Sequence, residues 1–236
     1  MFRPDENMKR FNTSLARLGL QEFEDDELLK CIEKLLILDK EYIPDRTGAS
    51  LYIRPFGMAL DNKLSVGPSS STRISVILSP VGSYFGDVIR PIHLGIYRGY
   101  ERGNPKSAAG YKLASNYAPT VKPSSEYLKR GIDQILWVHD EKILEVGACN
   151  IFFMIKGKDG VIGIVTPPLD GSVLPGITRK SLIQIINKET EYEAKEADIT
   201  VKDLTTAFDE DRVVEIFGTG TAATCIPVAS LGKNQK

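Results

Sequence analysis

Lys112, Glu145 and two turns rich in Gly, Pro and Thr are the residues of this chain from which chemistry can be built. A lysine amine can form a Schiff base with an aldehyde. Glu145 opens Glu145-Val-Gly-Ala-Cys-Asn150, a carboxylate in a Gly-bounded turn that can hold the proton of a cationic ring nitrogen. Leu174-Pro-Gly-Ile-Thr-Arg179 sets Pro175 just ahead of a helix start. There the amides of Ile177 and Thr178 and the positive end of the helix dipole can bind phosphate. Gly218-Thr-Gly-Thr221 follows an apolar run and reads as a second anion nest, with phosphate on one side and a substrate carboxylate on the other. Amine, carboxylate and anion nests are the three parts needed to use a phosphorylated pyridine aldehyde.

Each part alone has a plainer reading. Lys112 is then one more surface lysine among 30 Lys and Arg, Glu145 a strand-end carboxylate, and Pro175 ordinary helix initiation. Arg10 by itself is an exposed helical arginine. The neighbours Tyr111 and Tyr117 are expected to wall a pocket and desolvate the Lys112 amine, as a Schiff-base nucleophile needs. Asn150 is a turn-former able to brace the Glu145 loop. No Ser-His-Asp arrangement, P-loop or GxGxxG is present, since Gly218-Thr-Gly-Thr-Ala-Ala223 lacks the third glycine and the strand-helix continuation.

The elements that must position these residues follow from apolar spacing. A helix is predicted over 4–20, with Met8, Phe11, Leu15 and Leu18 on one side. A second starts at Asp25 and turns Leu28, Leu29, Ile32, Leu35, Leu36 and Leu38 inward. Strands are expected at 51–55, ended by Pro55, and at 73–79, with a Ser-rich loop before the latter. The pattern then breaks in a Gly-bearing linker. Beyond it come a strand at 89–97, a loop to Lys112, and a helix from Ala118 or Pro119 to Gly131 with Pro123 in its first part. Strands at 134–138, 143–145, 151–155 and 161–166, the last two joined by a hairpin at 156–160, precede an amphipathic helix over 178–187. A short helix at 201–208 and a strand at 212–217 lead to the Gly/Thr turn. The expected domains are a partial small one at 1–80, an interdomain loop at 81–91 and a large one at 92–236.

With 236 residues, 42% apolar and 26% charged, the chain can bury a sizeable core. Lys+Arg 30 against Asp+Glu 31 gives no basic excess for nucleic acid or an anionic membrane. Apolar runs such as Ile151-Phe-Phe-Met-Ile155 are strand-sized, too short to span a bilayer. Cys31, Cys149 and Cys225 form no CxxC pair and only two histidines accompany them, which argues against a zinc site or a disulfide framework and for a reducing compartment. The N-terminus lacks the apolar stretch of a secretory signal.

Together the motifs strongly resemble the branched-chain amino acid aminotransferases of the fold-type IV pyridoxal phosphate enzymes. The signature E-x-G-x-x-N-(apolar)-F, a Thr, and L-P-G-(I/V)-x-R is matched at Glu145 to Phe152, Thr166, and Leu174 to Arg179. Tyr111-Lys-Leu-Ala-Ser-Asn-Tyr117 looks like the family's K-x-G-G-N-Y segment, with Ala114-Ser115 in place of two glycines. Leu51-Tyr-Ile-Arg-Pro55, Pro80-Val-Gly-Ser-Tyr-Phe85 and Gln134-Ile-Leu-Trp137 are closest to the eukaryotic branch. The likeness extends from Phe2 to about Ser230.

The resemblance implies a mixed α/β fold, a partial small α/β domain followed by a large barrel-like one. It implies pyridoxal 5'-phosphate and transamination of Leu, Ile or Val with 2-oxoglutarate. Lys112 would form the Schiff base and shuttle a proton between Cα and C4′, Glu145 would pair with the pyridine nitrogen, and Tyr117 would bond the phenolic oxygen. Arg10, the Ile177 and Thr178 amides and Thr219 would bind phosphate, while Thr221 and Ala222 would receive the substrate carboxylate. Tyr52, Arg54 and Val66 match pocket residues supplied by a partner subunit, and Tyr84 the interdomain-loop tyrosine, so a homodimer is expected. The compartment would be cytoplasmic or mitochondrial. The family's F-E-G-x-K-(aromatic) segment and its C-terminal helices have no match here, so a second reading is a truncated, non-catalytic fragment that at most binds the cofactor or pairs with a full-length subunit. A third is a sister enzyme, a D-amino acid aminotransferase or aminodeoxychorismate lyase. Ala223 and Ile226 stand where mammalian members carry a redox CxxC, which argues against thiol regulation.

Overall fold

A computed structural model of the chain describes residues 1–83 and 90–232. It contains two compact units, Met1–Val88 and Ile89–Lys236. In the first, α1 (Pro4–Arg17) buries Met8, Ser14 and Leu15. Pro at its first turn and the acids Asp5 and Glu6 suit a helix start. α2 (Asp25–Leu38) is tied to α1 by Asn12, whose Nδ2 donates to Asp25 Oδ1 at 2.9 Å and to the Phe23 carbonyl at 2.7 Å. The predicted inward row of α2 is only partly buried. Ile32 is covered but Leu38 is 76% exposed, because a stripe this broad outruns one helical neighbour.

β1 (Ser50–Ala59) and β2 (Thr72–Val81) form an antiparallel ribbon in register from Ser50↔Val81 to Ala59↔Thr72. The first strand therefore runs through Pro55, where it was expected to stop. Both strands of a ribbon are edges, and edges tolerate proline.

The second unit contains β3 (Ile92–Tyr97), α3 (Ala118–Leu128), β4 (Gln134–His139), β5 (Lys142–Val146), β6 (Asn150–Lys156), β7 (Ile162–Thr166), α4 (Ile177–Glu189), β8 (Glu193–Glu196), α5 (Val201–Asp209), β9 (Val213–Gly220) and β10 (Thr224–Gly232). Its strands make one mixed sheet in the order β5-β4-β3-β10-β9-β6-β7-β8. Pairs β3–β4, β3–β10 and β7–β8 are parallel and the rest antiparallel. The two edges come together, since the Ile143 amide donates to the Ile199 carbonyl and the Val201 amide to the Glu141 carbonyl, both at 2.9 Å. The segment between β8 and α5 thus joins β5 by a bridge at Lys142↔Thr200, and the sheet curls into a barrel-like form. Strands covered on both faces read as unbroken apolar runs, which explains buried Ile135–Val138 and Ile151–Phe153. Leu182, Ile183 and Ile186 of α4 pack on Phe152, Ile164 and Ala194.

Two local differences from the sequence expectation matter. Gly218, Thr219 and Gly220 are strand, not turn: all three pair with β10, and Gly218 and Thr219 also pair with β6. The turn is Thr221 to Ala223. α3 ends at Leu128, with Gly131 at φ +78° and the Ile132 amide returning to the Tyr127 carbonyl at 3.1 Å. Pro123 lies buried inside that helix.

Candidate active site

Glu145 is the fourth residue of β5, opposite Trp137 of β4, and is 2% exposed. Past it the chain reverses sharply, with the Val146 and Cys149 backbones bonded to each other at 2.9 and 2.8 Å. Gly147 has φ +54°, in the left-handed region that favours glycine, and a Cβ there would also displace the end of the Gln134 side chain, 2.2 Å away at Oε1. Trp137 Nε1 donates to the Gly147 carbonyl at 2.9 Å and fixes the turn from beneath.

The turn delivers Asn150 to the carboxylate. Asn150 Nδ2 donates to Glu145 Oε1 at 3.1 Å and to the Leu174 carbonyl at 2.9 Å, while the Leu174 amide donates to the same Oε1 at 3.0 Å. The Leu174 segment leads directly into α4, so one side chain ties β5, β6 and the α4 start. Close approach needs Gly176, whose Cβ would lie 2.0 Å from Asn150 Oδ1. On its other side Glu145 Oε2 sits 2.6 Å from Arg102 Nη2, yet no donor is aligned with it. Both side chains are buried, 3% and 2% exposed. Burial pushes the Glu145 carboxyl up, and Arg102, the Leu174 amide, Lys112 and Arg179 oppose that push.

Lys112 lies on the segment before α3, close enough for its charge to act on Glu145. Asn116 Nδ2 clamps that segment through the Ala108 and Tyr111 carbonyls at 2.9 and 2.8 Å, and buried Leu113 anchors it. The amine donates to the Tyr117 hydroxyl at 2.6 Å and stands 5.3 Å from its ring centre. Its charge acts on both Glu145 and Cys149. Lys112 is exposed rather than desolvated, contrary to the expectation from its aromatic neighbours. The loop carrying Arg102 packs on the segment before Leu174: a Cβ on Gly103 would meet Ala109 Cβ at 2.3 Å and the Ser172 carbonyl at 2.9 Å.

α4 begins at Ile177 without a side-chain cap, and the first amides of a helix have no acceptor within it. Thr219 lies across the ladder from Asn150, 1% exposed, with its Oγ1 unpartnered. Thr221 and Ala222 are exposed at the tip of the β9–β10 hairpin. Lys112, Tyr117, Glu145, Ile177, Thr178 and Thr219 all belong to the second unit, where Asn150 links Glu145, the start of α4 and Thr219. Arg10, Tyr52, Arg54 and Val66 belong to the first unit. Arg10 donates to Asn7 Oδ1 at 3.3 Å, Arg54 stacks over Tyr52 at 5.2 Å, and Val66 is fully exposed. Tyr84 lies outside the described residues.

Two arginines escaped the sequence reading as functional parts. Arg102 sits in a Gly/Asn/Pro loop whose composition signals solvent, not burial. Arg179 was seen only as a motif letter. It is 2% exposed, donates to Glu196 Oε1 at 3.0 Å and to the Pro167 carbonyl at 2.8 Å, and so locks the first turn of α4 to β7 and β8. Its neighbour Thr166 donates to the Ile151 carbonyl at 2.7 Å. A motif with Thr and Arg at these positions is the signal for that brace.

Known proteins share much of this sequence and the fold. A mitochondrial branched-chain-amino-acid aminotransferase of Mus musculus is 42% identical over 97% of this chain. A cytosolic one of Rattus norvegicus is 41% identical over 98%. The chain spans 59% and 57% of the lengths of these two relatives. The structure of the T.th. branched-chain amino acid aminotransferase with pyridoxamine 5'-phosphate matches at a TM-score of 0.79 and 26% identity, over 98% of this chain and 71% of that one. The family model described as amino-transferase class IV matches residues 1–231. With the Glu145–Asn150 turn, the α4 start and the curled sheet all in place, the chain belongs to the class IV amino-transferases.

Proposed function

We propose that this chain carries pyridoxal phosphate-dependent transamination of the branched-chain L-amino acids Leu, Ile and Val, with 2-oxoglutarate as the other substrate. The observation that carries this reading is the buried Glu145 carboxylate, hydrogen-bonded on Oε1 and with no aligned donor on Oε2, within electrostatic reach of Lys112. The residues fit the cofactor. Oε2 of Glu145 has a lone pair for a ring N–H, and Thr219 Oγ1 is a buried hydroxyl awaiting a partner. Pyridoxal phosphate, when bound, supplies an aldehyde and an electron-accepting ring.

The chain's own residues supply the rest. Lys112 provides the amine and, once released, takes a proton at the substrate Cα and delivers it to C4′. Tyr117, already bonded to that amine at 2.6 Å, orients it and bonds the phenolic oxygen. Ile177 and Thr178 offer amides and Thr219 its hydroxyl to phosphate, with Arg10 assigned there by the family likeness. Thr221 and Ala222, at an exposed hairpin tip, receive the substrate carboxylate. Tyr52, Arg54, Val66 and Tyr84 are assigned to the substrate pocket of a homodimer, and the compartment is taken as cytoplasmic or mitochondrial, as in the names of the rat and mouse relatives.

The test uses the whole chain loaded with pyridoxal phosphate. Borohydride should attach the cofactor to Lys112, located by peptide mass spectrometry, and leucine added first should abolish the attachment by converting the cofactor to its amine form. Lys112→Ala should remove labelling. Labelling that leucine does not prevent overturns the substrate assignment, and labelling elsewhere overturns the role of Lys112.

A further inference from the structure

Arg102 is the one cation in direct contact with Glu145 among the described residues. Among the described residues, four groups with charge or a titratable proton act on this carboxylate or are acted on by it: Arg102 from the loop after β3, Lys112 from the segment before α3, Arg179 from α4, and Cys149 from the turn into β6. Lys112 is exposed, and both Nη atoms of Arg179 are engaged by Glu196 and Pro167. Arg102 Nη2 stands 2.6 Å from Oε2, and its Nη1 is buried with no partner.

A buried guanidinium with unused hydrogen-bonding capacity is costly to keep. A guanidinium also cannot give up its proton, whereas a carboxyl in the same surroundings can take one up. The pair therefore has a fixed charge on one side and a titratable one on the other.

We propose that Arg102 is a positioning residue that keeps Glu145 ionised, so that the single proton shared between Glu145 and a ring nitrogen resides on the nitrogen. This deepens the reading proposed above and rests on it for the ring nitrogen. The contact between Arg102 and Glu145 does not depend on it. Arg102 Nη2 stands 2.6 Å from Oε2, so its charge acts directly on the ionised carboxyl and favours that form. Without it, a carboxyl buried this deeply holds the proton itself and leaves the ring nitrogen neutral.

The first measurement is made on the cofactor-free chain by infrared difference spectroscopy with isotope-labelled glutamate. Wild type should show Glu145 as a carboxylate at neutral pH. Arg102→Met should gain a protonated carboxyl band that is lost again in Arg102→Met combined with Glu145→Gln. Arg102→Lys should restore the carboxylate, a rescue that a purely structural role would not give. A folded Arg102→Met chain that keeps Glu145 ionised overturns the proposal. If Arg102→Met does not fold, wild type still decides, because a protonated Glu145 at neutral pH overturns it equally.

The second measurement loads ring-15N pyridoxal phosphate and reads the nitrogen shift. The nitrogen should be protonated in wild type and neutral in Arg102→Met, and an unchanged shift overturns the coupling. Should the cofactor not bind at all, the transamination reading fails while the infrared result stands or falls by itself.

Discussion

Glu145 touches three chain segments and is 2% exposed, whereas Lys112 is exposed and rests against the Tyr117 hydroxyl at the end of a flexible stem. The carboxylate sits near the end of a paired strand, bonded by Asn150 and by the Leu174 amide, with Arg102 against its other oxygen. The amine hangs from a short turn before α3. A group that holds one proton through a whole reaction gains from rigidity, since its task is to keep a fixed field. A group that forms a bond, leaves it and carries a proton between two carbons has to move. The two halves of the site are built for these different demands.

The largest expected contrast is in stability. Glu145→Ala leaves the Arg102 guanidinium buried and unpaired, and it cannot neutralise itself, so the chain should lose about 3–5 kcal/mol in denaturant unfolding. Lys112→Ala removes an exposed side chain and should change stability by no more than about 0.5 kcal/mol, while abolishing labelling. Equal costs for the two variants would break the comparison. The cost of Glu145→Ala should also exceed that of Arg102→Met, where the orphaned carboxyl can take up a proton.

Glycines test the rigidity of the carboxylate side directly. Gly176→Ala places a Cβ 2.0 Å from Asn150 Oδ1, and Asn150 is pinned by two hydrogen bonds, so unfolding should show a loss of about 1–3 kcal/mol. Gly67 in the first unit has nothing within 4 Å of the corresponding position. Gly67→Ala should stay within about 0.5 kcal/mol of wild type. A Gly176→Ala chain as stable as Gly67→Ala would show that the Asn150 clamp gives way.

Thr219→Val should move the other way. Its hydroxyl is buried without a partner, and replacing it by a methyl group of similar shape removes a desolvation penalty, for a gain of about 1 kcal/mol in the cofactor-free chain. Pyridoxal phosphate should then bind more weakly by fluorescence titration. A destabilised variant would mean that the hydroxyl already has a partner.

How much of this was legible in the sequence depended on whether the decisive force was local. The apolar runs of β4 and β6 and the Glu145 and Leu174 turns are local, and the structure has them where their residues place them. Pro55 was read as a strand end because its missing donor matters only where both edges are paired, which sequence does not show. Gly218 to Gly220 were read as a turn from composition, yet ladders to β6 and β10 override a weak local preference. Burial of Arg102 arises from a residue 43 positions away, and nothing in its own loop announces it. The exposure of Lys112 has the same origin, since neighbouring tyrosines in sequence do not by themselves remove water.

Cys149 sits between the two halves and can report on both. Burial pushes its thiol up to about 11, Glu145 adds to that, and Lys112 pulls against it. At pH 7 only about one molecule in ten thousand carries the thiolate that alkylating agents attack. Its labelling should therefore lag far behind that of exposed Cys31 and rise tenfold per pH step toward 11. The stability tied to the protonated thiol is present below the ordinary cysteine range and is lost as pH rises through about 11. Glu145→Gln removes the negative neighbour and should speed Cys149 labelling at a given pH, while Lys112→Ala removes the positive one and should slow it. Mass spectrometric labelling rates in the cofactor-free chain measure both. Because the carboxylate is buried and the amine is exposed to water, the Glu145 effect should be the larger, and a larger effect of Lys112 would mean that its charge is less screened than its exposure indicates.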